Sequence, residues 1–386
     1  MAAIQDSQDG TMEETRRSTV RRVKYLLLAG SLLFTFLIAE IAARVWLKGF
    51  ATTQQRLDFS LVEDIAPKDW RICPHHYLDF CTSPNFAISG VTHDALGFRG
   101  PAFPVKKPEG EFRIVCLGAS TTYCTGVHED AKTYPAQLQQ ILNSDLGYRN
   151  VRVINAGVPG YTSWESLINL EFRVLDLNPD LVIFYEAVND VHARLVEPAA
   201  YRGDNSGYRQ QWRFPPTPFL EHSCILRIAS RKLGFTSQQG LEGHILAPTA
   251  RYIKLNASAK EIAILRANPP IYYRRNLLNM IAVCRANGVG MLFATFASCL
   301  EKKDHYATQE CYQEGIREHN EVMAEVAQSE NVPVQDLANL MPTDPRYWWD
   351  GVHVNNRGAR AHAELVAQFI DQNHLIGQPG AGKVEP

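Results

Sequence analysis

A buried strand that delivers a serine is indicated by the run Phe112-Arg113-Ile114-Val115-Cys116-Leu117, which is followed by Gly118-Ala119-Ser120. Short apolar runs bounded by glycine are typical of strands buried in a sheet. A serine hydroxyl becomes a nucleophile only when a base takes its proton, and an imidazole held by a carboxylate is the usual base. The stretch therefore predicts a strand and, at its tip, a candidate nucleophile, Ser120.

Further apolar runs alternate with helix-like segments along the chain. The strand-like runs lie at 151–154, 181–185, 289–296 and 332–337, and the later helix-like segments lie at 272–287, 309–330 and 359–370. Near-continuous apolar strands that alternate with helices favour a parallel sheet covered by helices on both faces. Such sheets bind ligands at the carboxyl ends of their strands, which is where Ser120 is expected.

Hydrogen-bond donors follow two of these strands. Gly157 comes directly after the strand-like run 151–154, in Asn155-Ala156-Gly157, and Asn189 follows the run 181–185. The amide of Gly157 and the side chain of Asn189, beside the N–H of Ser120, are suitable donors for an oxyanion. Taken singly, each segment is also consistent with a plain turn between a strand and a helix.

The base and its orienting carboxylate are predicted in one short segment near the C-terminus. The segment Trp349-Asp350-Gly351-Val352-His353 places an aspartate three residues before a histidine, ahead of a helix-like run. With this spacing Asp350 can orient the imidazole of His353, which can take the proton of Ser120. Alone, the same pattern is also typical of a capped helix start.

These four segments, in this order, resemble the four blocks of the SGNH/GDSL hydrolase superfamily. Ser120, Gly157, Asn189 and His353 match its four named positions, and Asp350 matches the aspartate that precedes the histidine. The resemblance covers residues 110–372 apart from a long insert. It implies an α/β fold, a three-layer α/β/α flavodoxin-like sandwich with a parallel sheet of about five strands.

The resemblance also implies a serine ester hydrolase that works through an acyl-enzyme. Ser120, Asp350 and His353 would be catalytic, and Ser120, Gly157 and Asn189 would form the oxyanion hole. No metal or organic cofactor is implied, and the substrate would be a small-molecule or glycan acyl ester. An O-acyltransferase of an exported glycan, with a sugar hydroxyl as acceptor, is one alternative. A catalytically inactive glycan-binding module on the same fold is another.

The chain departs from the family pattern at two positions. Ala119 and Ala187 stand where family members often have aspartate and glycine, respectively. Neither departure removes a reacting group, so they bear on rate and substrate rather than on the class of reaction. A phosphate-binding loop is the other interpretation of residues 118–122. It is disfavoured because the segment lacks the Gly-Lys-Ser/Thr of a P-loop.

The N-terminal segment predicts a membrane anchor. Residues 1–24 are polar and end in a basic cluster, and residues 25–47 are apolar except for Glu40 and Arg44. About 20 apolar residues span the 30 Å hydrocarbon core. Because the basic cluster lies on the N-terminal side, we expect a single-pass anchor with residues 1–24 in the cytoplasm and the catalytic domain extracytoplasmic, periplasmic or extracellular. A cleaved signal peptide is the alternative. Glu40 and Arg44 are expected to pair on one helix face.

The remaining segments set the expected domain organisation. Residues 48–109 form a linker and lead-in, 110–376 the hydrolase domain, 191–270 an insert within it, and 377–386 a disordered tail. A long irregular insert after the third block favours a lid or binding loop. The lead-in contains Leu96-Gly97-Phe98-Arg99-Gly100, which is similar to a segment that precedes the first block in some family members. A net charge of −2 argues against a nucleic-acid partner, and the sequence does not indicate the oligomeric state.

Eight cysteines bear on the redox compartment. Cys116, within a strand, and Cys284, on the apolar face of a helix, are expected to be reduced core thiols. If the domain lies outside the cytoplasm, we expect a Cys299–Cys311 disulfide and, second, a Cys73–Cys81 disulfide. Eight free thiols are the alternative.

Overall fold

The computed structural model describes residues 2–65, 67–209, 217–236, 259–302 and 306–376. The chain divides into two compact units, Met1–Ile65 with Phe214–Gly240 and Ala66–Arg213 with Leu241–Pro386. Segments 210–216 and 237–258 of the insert and the tail 377–386 lie outside the described residues, as do the predictions made for them.

Strands and helices alternate through the second unit. The strands are β1 (Ile72–Pro74), β2 (Phe80–Thr82), β3 (Ala87–Ile88), β4 (Val91–Thr92), β5 (Phe112–Gly118), β6 (Val151–Gly157), β7 (Leu181–Tyr185), β8 (Gly290–Ala294) and β9 (Val334–Gln335). The α-helices of the described residues are α1 (Ala2–Gly49), α2 (Thr53–Phe59), α3 (Ser120–Tyr123), α4 (Tyr134–Gln140), α5 (Ser163–Asn169), α6 (Val188–Arg194), α7 (Cys224–Lys232), α8 (Ala259–Ala267), α9 (Ile271–Ala286), α10 (Glu310–Ser329), α11 (Leu337–Leu340) and α12 (Asn356–Gln372).

Five strands form one parallel sheet in the order β6-β5-β7-β8-β9. The side chains of β5 alternate between its faces. Ile114 and Cys116 pack in the core that includes α4 and α12, whereas Val115 and Leu117 pack in the core that includes α9. The predicted parallel sheet with helices on both faces is confirmed. In this strand order the connections diverge between β5 and β7, and ligands of such sheets bind beyond the strand ends at that point.

The predicted elements agree with the observed ones to within a few residues. The predicted helices 272–287 and 309–330 are observed as Ile271–Ala286 and Glu310–Ser329. The predicted strand 332–337 is shorter, because β9 is an edge strand that pairs with β8 only at Val334 and Gln335.

The first unit is built around α1. Within its segment Arg16–Gly49, an 18-residue stretch has a mean hydropathy of 2.2, and none of that stretch is buried against the protein. By length and composition this helix can cross a membrane, a property that it shares with N-terminal signal sequences. The predicted pair is present, with Arg44 Nε donating to Glu40 Oε1 at 2.7 Å. Helices α2 and α7 pack beside α1, where Leu47 and Cys224 are buried.

All eight cysteines are free and buried. Cys116 and Cys284 are core thiols, as predicted, and burial raises the pKa of each to about 12. The predicted Cys299–Cys311 disulfide is wrong, because both thiols are free and Cys299 Sγ instead donates to Thr343 O at 3.2 Å.

The second predicted disulfide is also absent, but its two cysteines lie side by side. Cys73 and Cys81 are directly paired residues of the antiparallel strands β1 and β2. Their sulfur atoms are 3.7 Å apart.

Candidate active site

Ser120 lies at the sharp turn that joins β5 to α3. The preceding residue, Ala119, has φ −107° and ψ −142°, and Ser120 is already the first residue of the helix. The helix ends after one turn, at Cys124 in the left-handed conformation with φ 64°. Ser120 is therefore held, partly exposed, at the carboxyl edge of the sheet.

Two glycines allow this turn to sit against the neighbouring strands. A Cβ atom on Gly118 would lie 2.3 Å from Tyr185 O, at the end of β7. A Cβ atom on Gly157 would lie 2.3 Å from Tyr123 N, in α3. Side chains do not fit at these distances, so both positions require glycine for close backbone approach.

Ser120, His353 and Asp350 form a continuous hydrogen-bonded chain. His353 Nε2 lies 2.8 Å from Ser120 Oγ, and His353 Nδ1 lies 2.7 Å from Asp350 Oδ2. With Nδ1 protonated, the ring donates to the carboxylate and its Nε2 lone pair faces the hydroxyl. This is the arrangement in which an imidazole can accept the proton of a serine.

The carboxylate of Asp350 is fixed by its own loop. Its Oδ1 accepts the N–H groups of Val352 at 2.8 Å and His353 at 2.7 Å. Burial alone would raise the pKa of Asp350, but the hydrogen bonds from the ring and backbone of His353 and from Val352 outweigh it and hold that pKa at about 2. The group is therefore ionised at neutral pH.

Backbone contacts hold the loop that carries the histidine. Trp349 N donates to His353 O at 2.8 Å, and Cys299 N, after β8, donates to Gly351 O at 2.8 Å. Asn355 caps α12 by accepting the N–H of Arg357 at 2.9 Å. The segment therefore serves both interpretations of the sequence. Asn355 caps the helix, and Asp350 binds the ring of His353 instead of capping.

Gly157 and Asn189 lie at the same edge as Ser120, because β6 and β7 are the two neighbours of β5. Asn189 Nδ2 donates to Tyr161 O at 2.9 Å, which orients the amide and leaves its second N–H as a further donor. The N–H of Gly157 donates to Asn155 Oδ1 at 3.1 Å, so this predicted oxyanion donor is engaged within its own strand.

Buried carboxyl groups lie beside Asn189. Its N–H donates to Glu186 Oε1 at 2.8 Å, and burial raises the pKa of Glu186 well above its usual value. Burial likewise raises the pKa of Asp190 to about 7, while Ser163 N at 2.8 Å and Ser163 Oγ at 2.5 Å bind the two oxygens of Asp190. Neither group was predicted as a site residue, although Asp190 directly follows Asn189 and Glu186 lies three residues before it.

Arg99 supports the turn that carries Ser120, and it was not predicted as part of the site. Its guanidinium is buried and donates to the carbonyls of Tyr123 at 2.6 Å, Cys124 at 2.9 Å and Val127 at 2.6 Å. Arg99 Nε pairs with Asp130 at 3.0 Å. These contacts hold the C-terminal end of the turn that begins with Ser120.

A second lead-in residue supports the same turn. His93 Nε2 lies 2.8 Å from the hydroxyl of Tyr123, and His93 Nδ1 lies 2.8 Å from Ser83 O. Burial lowers the pKa of His93 to about 4, so the ring is neutral at pH 7. The sequence signal for Arg99 was the segment 96–100, which is similar to a segment of family members but whose function the sequence does not show, and His93 lies three residues before it.

The first part of the insert packs beside the residues that follow β6. Asn205 Nδ2 donates to Thr162 Oγ1 at 2.7 Å, and Arg209 forms a buried ion pair with Glu165 at 2.8 Å. Arg209 also donates to Gly160 O. These contacts hold the described beginning of the insert, which was predicted to be a lid or binding loop, in place. Residues 217–236 of the insert belong to the first unit.

Comparison with known proteins agrees with the sequence resemblance. The family model described as GDSL-like Lipase/Acylhydrolase family matches residues 116–361. No curated protein matches the sequence.

Solved structures with similarity to the chain include a lipase/acylhydrolase from Enterococcus faecalis, at 20% identity, covering 68% of this chain and 96% of that one with a TM-score of 0.41. A GDSL-like lipase from Bacteroides thetaiotaomicron is 16% identical, with coverage of 69% and 92% and a TM-score of 0.41. An acetyl xylan esterase from Geobacillus stearothermophilus is 16% identical, with coverage of 68% and 94% and a TM-score of 0.40.

Proposed function

The chain belongs to the GDSL-like lipase/acylhydrolase family, and from this we propose that it is a serine ester hydrolase that acts through an acyl-enzyme. The observation that carries the proposal is the chain of hydrogen bonds from Ser120 through His353 to Asp350, at 2.8 and 2.7 Å. Its substrate is an acyl ester of a small alcohol or of a glycan.

Ser120 Oγ attacks the acyl carbonyl while His353 Nε2 takes the hydroxyl proton. The same imidazole then gives that proton to the departing alcohol oxygen, and an acyl–Ser120 ester remains. Water, activated by His353, attacks this ester and releases the acid. Asp350 keeps the ring in the tautomer that presents a lone pair to Ser120 and stabilises the imidazolium, a role supported by its low pKa.

The N–H groups of Ser120 and Gly157 and the side chain of Asn189 stabilise the oxyanion. The amide group of Asn189 is already oriented, because one of its two N–H groups donates to Tyr161 O, and the other N–H is left for the oxyanion. The N–H of Gly157 must turn from Asn155 Oδ1 toward the oxyanion as charge develops. Donors directed at the position of the oxyanion stabilise the transition state more than the ground state, which is the requirement for a faster chemical step.

We further propose that α1 anchors the protein in a membrane, with the N-terminus in the cytoplasm and the catalytic unit outside. The length and hydropathy of Arg16–Gly49 support the anchor, and the basic residues near its start support the orientation. An exported glycan beside that membrane is then an accessible substrate. If a sugar hydroxyl replaces water in the second step, the same residues perform acyl transfer.

Ester turnover by substituted proteins tests the proposal. A panel of p-nitrophenyl acetyl, butyryl and longer esters, with acetylated xylan, reports turnover and acyl length. Ser120→Ala and His353→Ala are each expected to lower turnover on the order of 10³-fold or more, and Asp350→Ala is expected to lower it less.

Ser298→Ala provides the matched control, because Ser298 is a partly buried serine that follows β8 and binds Gln313. Its turnover should equal that of the wild type. An organofluorophosphonate should label the wild type at Ser120 and leave Ser120→Ala unlabelled. Unchanged turnover in Ser120→Ala would falsify the mechanism.

A further inference from the structure

Helix α7, part of the insert, begins against the apolar helix α1. The carboxylate of Glu40 accepts Ser223 Oγ at 2.9 Å and the N–H groups of Cys224 at 2.8 Å and Ile225 at 3.1 Å. An anionic group at a helix N-terminus is stabilised by the unpaired N–H groups and by the helix dipole. Glu40 therefore has a role besides its pairing with Arg44, which is to fix the start of α7.

The position of this contact along α1 is informative. Arg44 Nη2 donates to His222 O at 2.6 Å, so the turn before α7 is bonded one helical turn above Glu40. Counted from Tyr25, about 20 residues of helix, the length of a 30 Å hydrocarbon core, end at Arg44. The turn Phe219–His222 and the start of α7 thus meet α1 where it would leave the hydrocarbon.

Large apolar side chains of the turn and of α7 are exposed. Phe219 is 88% exposed in the turn, and Phe235 is 78% exposed just after α7. Leu226 and Leu233, seven residues apart and thus on one face of the helical path, are exposed as well, whereas Arg227, about 100° around the helix from Leu226, is buried. Exposed apolar groups grouped in this way indicate an interaction surface.

We propose that the turn Phe219–His222 and helix α7 form a second membrane contact, lying in the outer interface of the bilayer that α1 crosses. An amphipathic helix at this depth buries its apolar face at the boundary of headgroups and acyl chains, and aromatic side chains favour that zone. The bilayer is the occupant because the segment is bonded to α1 at the membrane boundary. The proposal rests on the anchoring role of α1 and adds a contact that fixes the first unit on the membrane surface.

Spin labels on the full-length protein in lipid nanodiscs test this contact. Nitroxides are attached at Phe219→Cys and Leu233→Cys, and their collision rates with oxygen and with a water-soluble nickel complex are compared. The native cysteines are buried, and labelled wild type gives the background. Leu33→Cys, on the exposed surface of α1, is the reference within the bilayer, and Leu340→Cys, an exposed leucine of the second unit, is the reference in water.

Oxygen collisions are expected to exceed nickel collisions at Phe219→Cys and Leu233→Cys, as at Leu33→Cys, with the opposite order at Leu340→Cys. Nickel collisions that dominate at both sites on the insert would place the segment in water and overturn the contact while leaving the anchor intact. Low collision rates with both oxygen and the nickel complex would mean that protein covers these positions, and this result would also overturn the proposed membrane contact. Nickel access at Leu33→Cys would overturn the anchor and the contact together.

Discussion

Replacement of Arg99 by methionine should destabilise the second unit strongly. Methionine fills much of the space but leaves the carbonyls of Tyr123, Cys124 and Val127 without their donor, and Asp130 without its cation. Asp130 still accepts hydrogen bonds from the N–H and the hydroxyl of Thr92, at 2.8 and 2.6 Å, so it loses only part of its stabilisation. Removal of one partner from a buried ion pair costs about 3–5 kcal/mol.

The second unit has about 290 residues, and at about 2.1 cal/mol/K of unfolding entropy per residue each kcal/mol lowers its Tm by about 1.6 °C, so Arg99→Met should melt roughly 5–8 °C below the wild type. Near-UV circular dichroism of the full-length protein measures this shift. Below the transition kcat should also fall, because the loosened end of α3 carries Ser120 away from His353, whereas KM should change little.

The matched control is Arg285→Met. Arg285 also pairs with a glutamate, Glu330 at 2.6 Å, but its side chain is 54% exposed, and exposed pairs contribute little. Its Tm should stay close to that of the wild type. If Arg99→Met and Arg285→Met had the same Tm, the contacts of Arg99 with the three carbonyls would contribute nothing to the free energy of unfolding, and the reasoning would be refuted.

Two further predictions concern titration and oxidation. Because burial raises the pKa of Asp190 from 3.8 to about 7, the folded protein holds a proton that the unfolded chain releases. As pH rises from about 4 to about 7, the free energy of unfolding of the wild type should therefore fall by roughly 4 kcal/mol relative to that of Asp190→Asn. Urea unfolding at a series of pH values measures this difference, and a difference that stays constant with pH would contradict the prediction. Incubation with oxidised glutathione should join Cys73 and Cys81, 3.7 Å apart, as two thiols are oxidised and glutathione disulfide is reduced. Non-reducing peptide mapping should find this bridge while Cys299 stays free, and two free thiols at Cys73 and Cys81 would refute it.

The sheet was predictable because its strands are buried on both faces. Such strands are nearly continuous apolar runs, and the runs at β5, β7 and β8 are visible without any knowledge of the fold. Ser120, Gly157 and Asn189 follow from the same signal, because parallel strands end at one edge. The contact between Ser120 and His353 also required the resemblance, since spacing alone does not join segments so far apart.

The contacts that support the site were not predictable, because they depend on side-chain direction. Nothing in the sequence around Arg99 shows that its guanidinium reaches the carbonyls after Ser120. The same limit explains the wrong disulfide. Cys299 and Cys311 are close in sequence, but the sulfur of Cys299 is directed to Thr343 O, and proximity in sequence does not reveal that direction.

The distance in sequence between the proposed nucleophile and its proposed base has a consequence for how the protein is made. Ser120 and His353 are 233 residues apart. At about 5–20 residues per second, roughly 10–50 s separate the synthesis of the serine from that of its base. During that time β5, β6 and β7 can assemble around a hydroxyl that has no proton acceptor. If the chain is exported while it is being made, it would therefore cross the membrane inert, and the proposed ester cleavage would begin only after residue 353 had reached the far side.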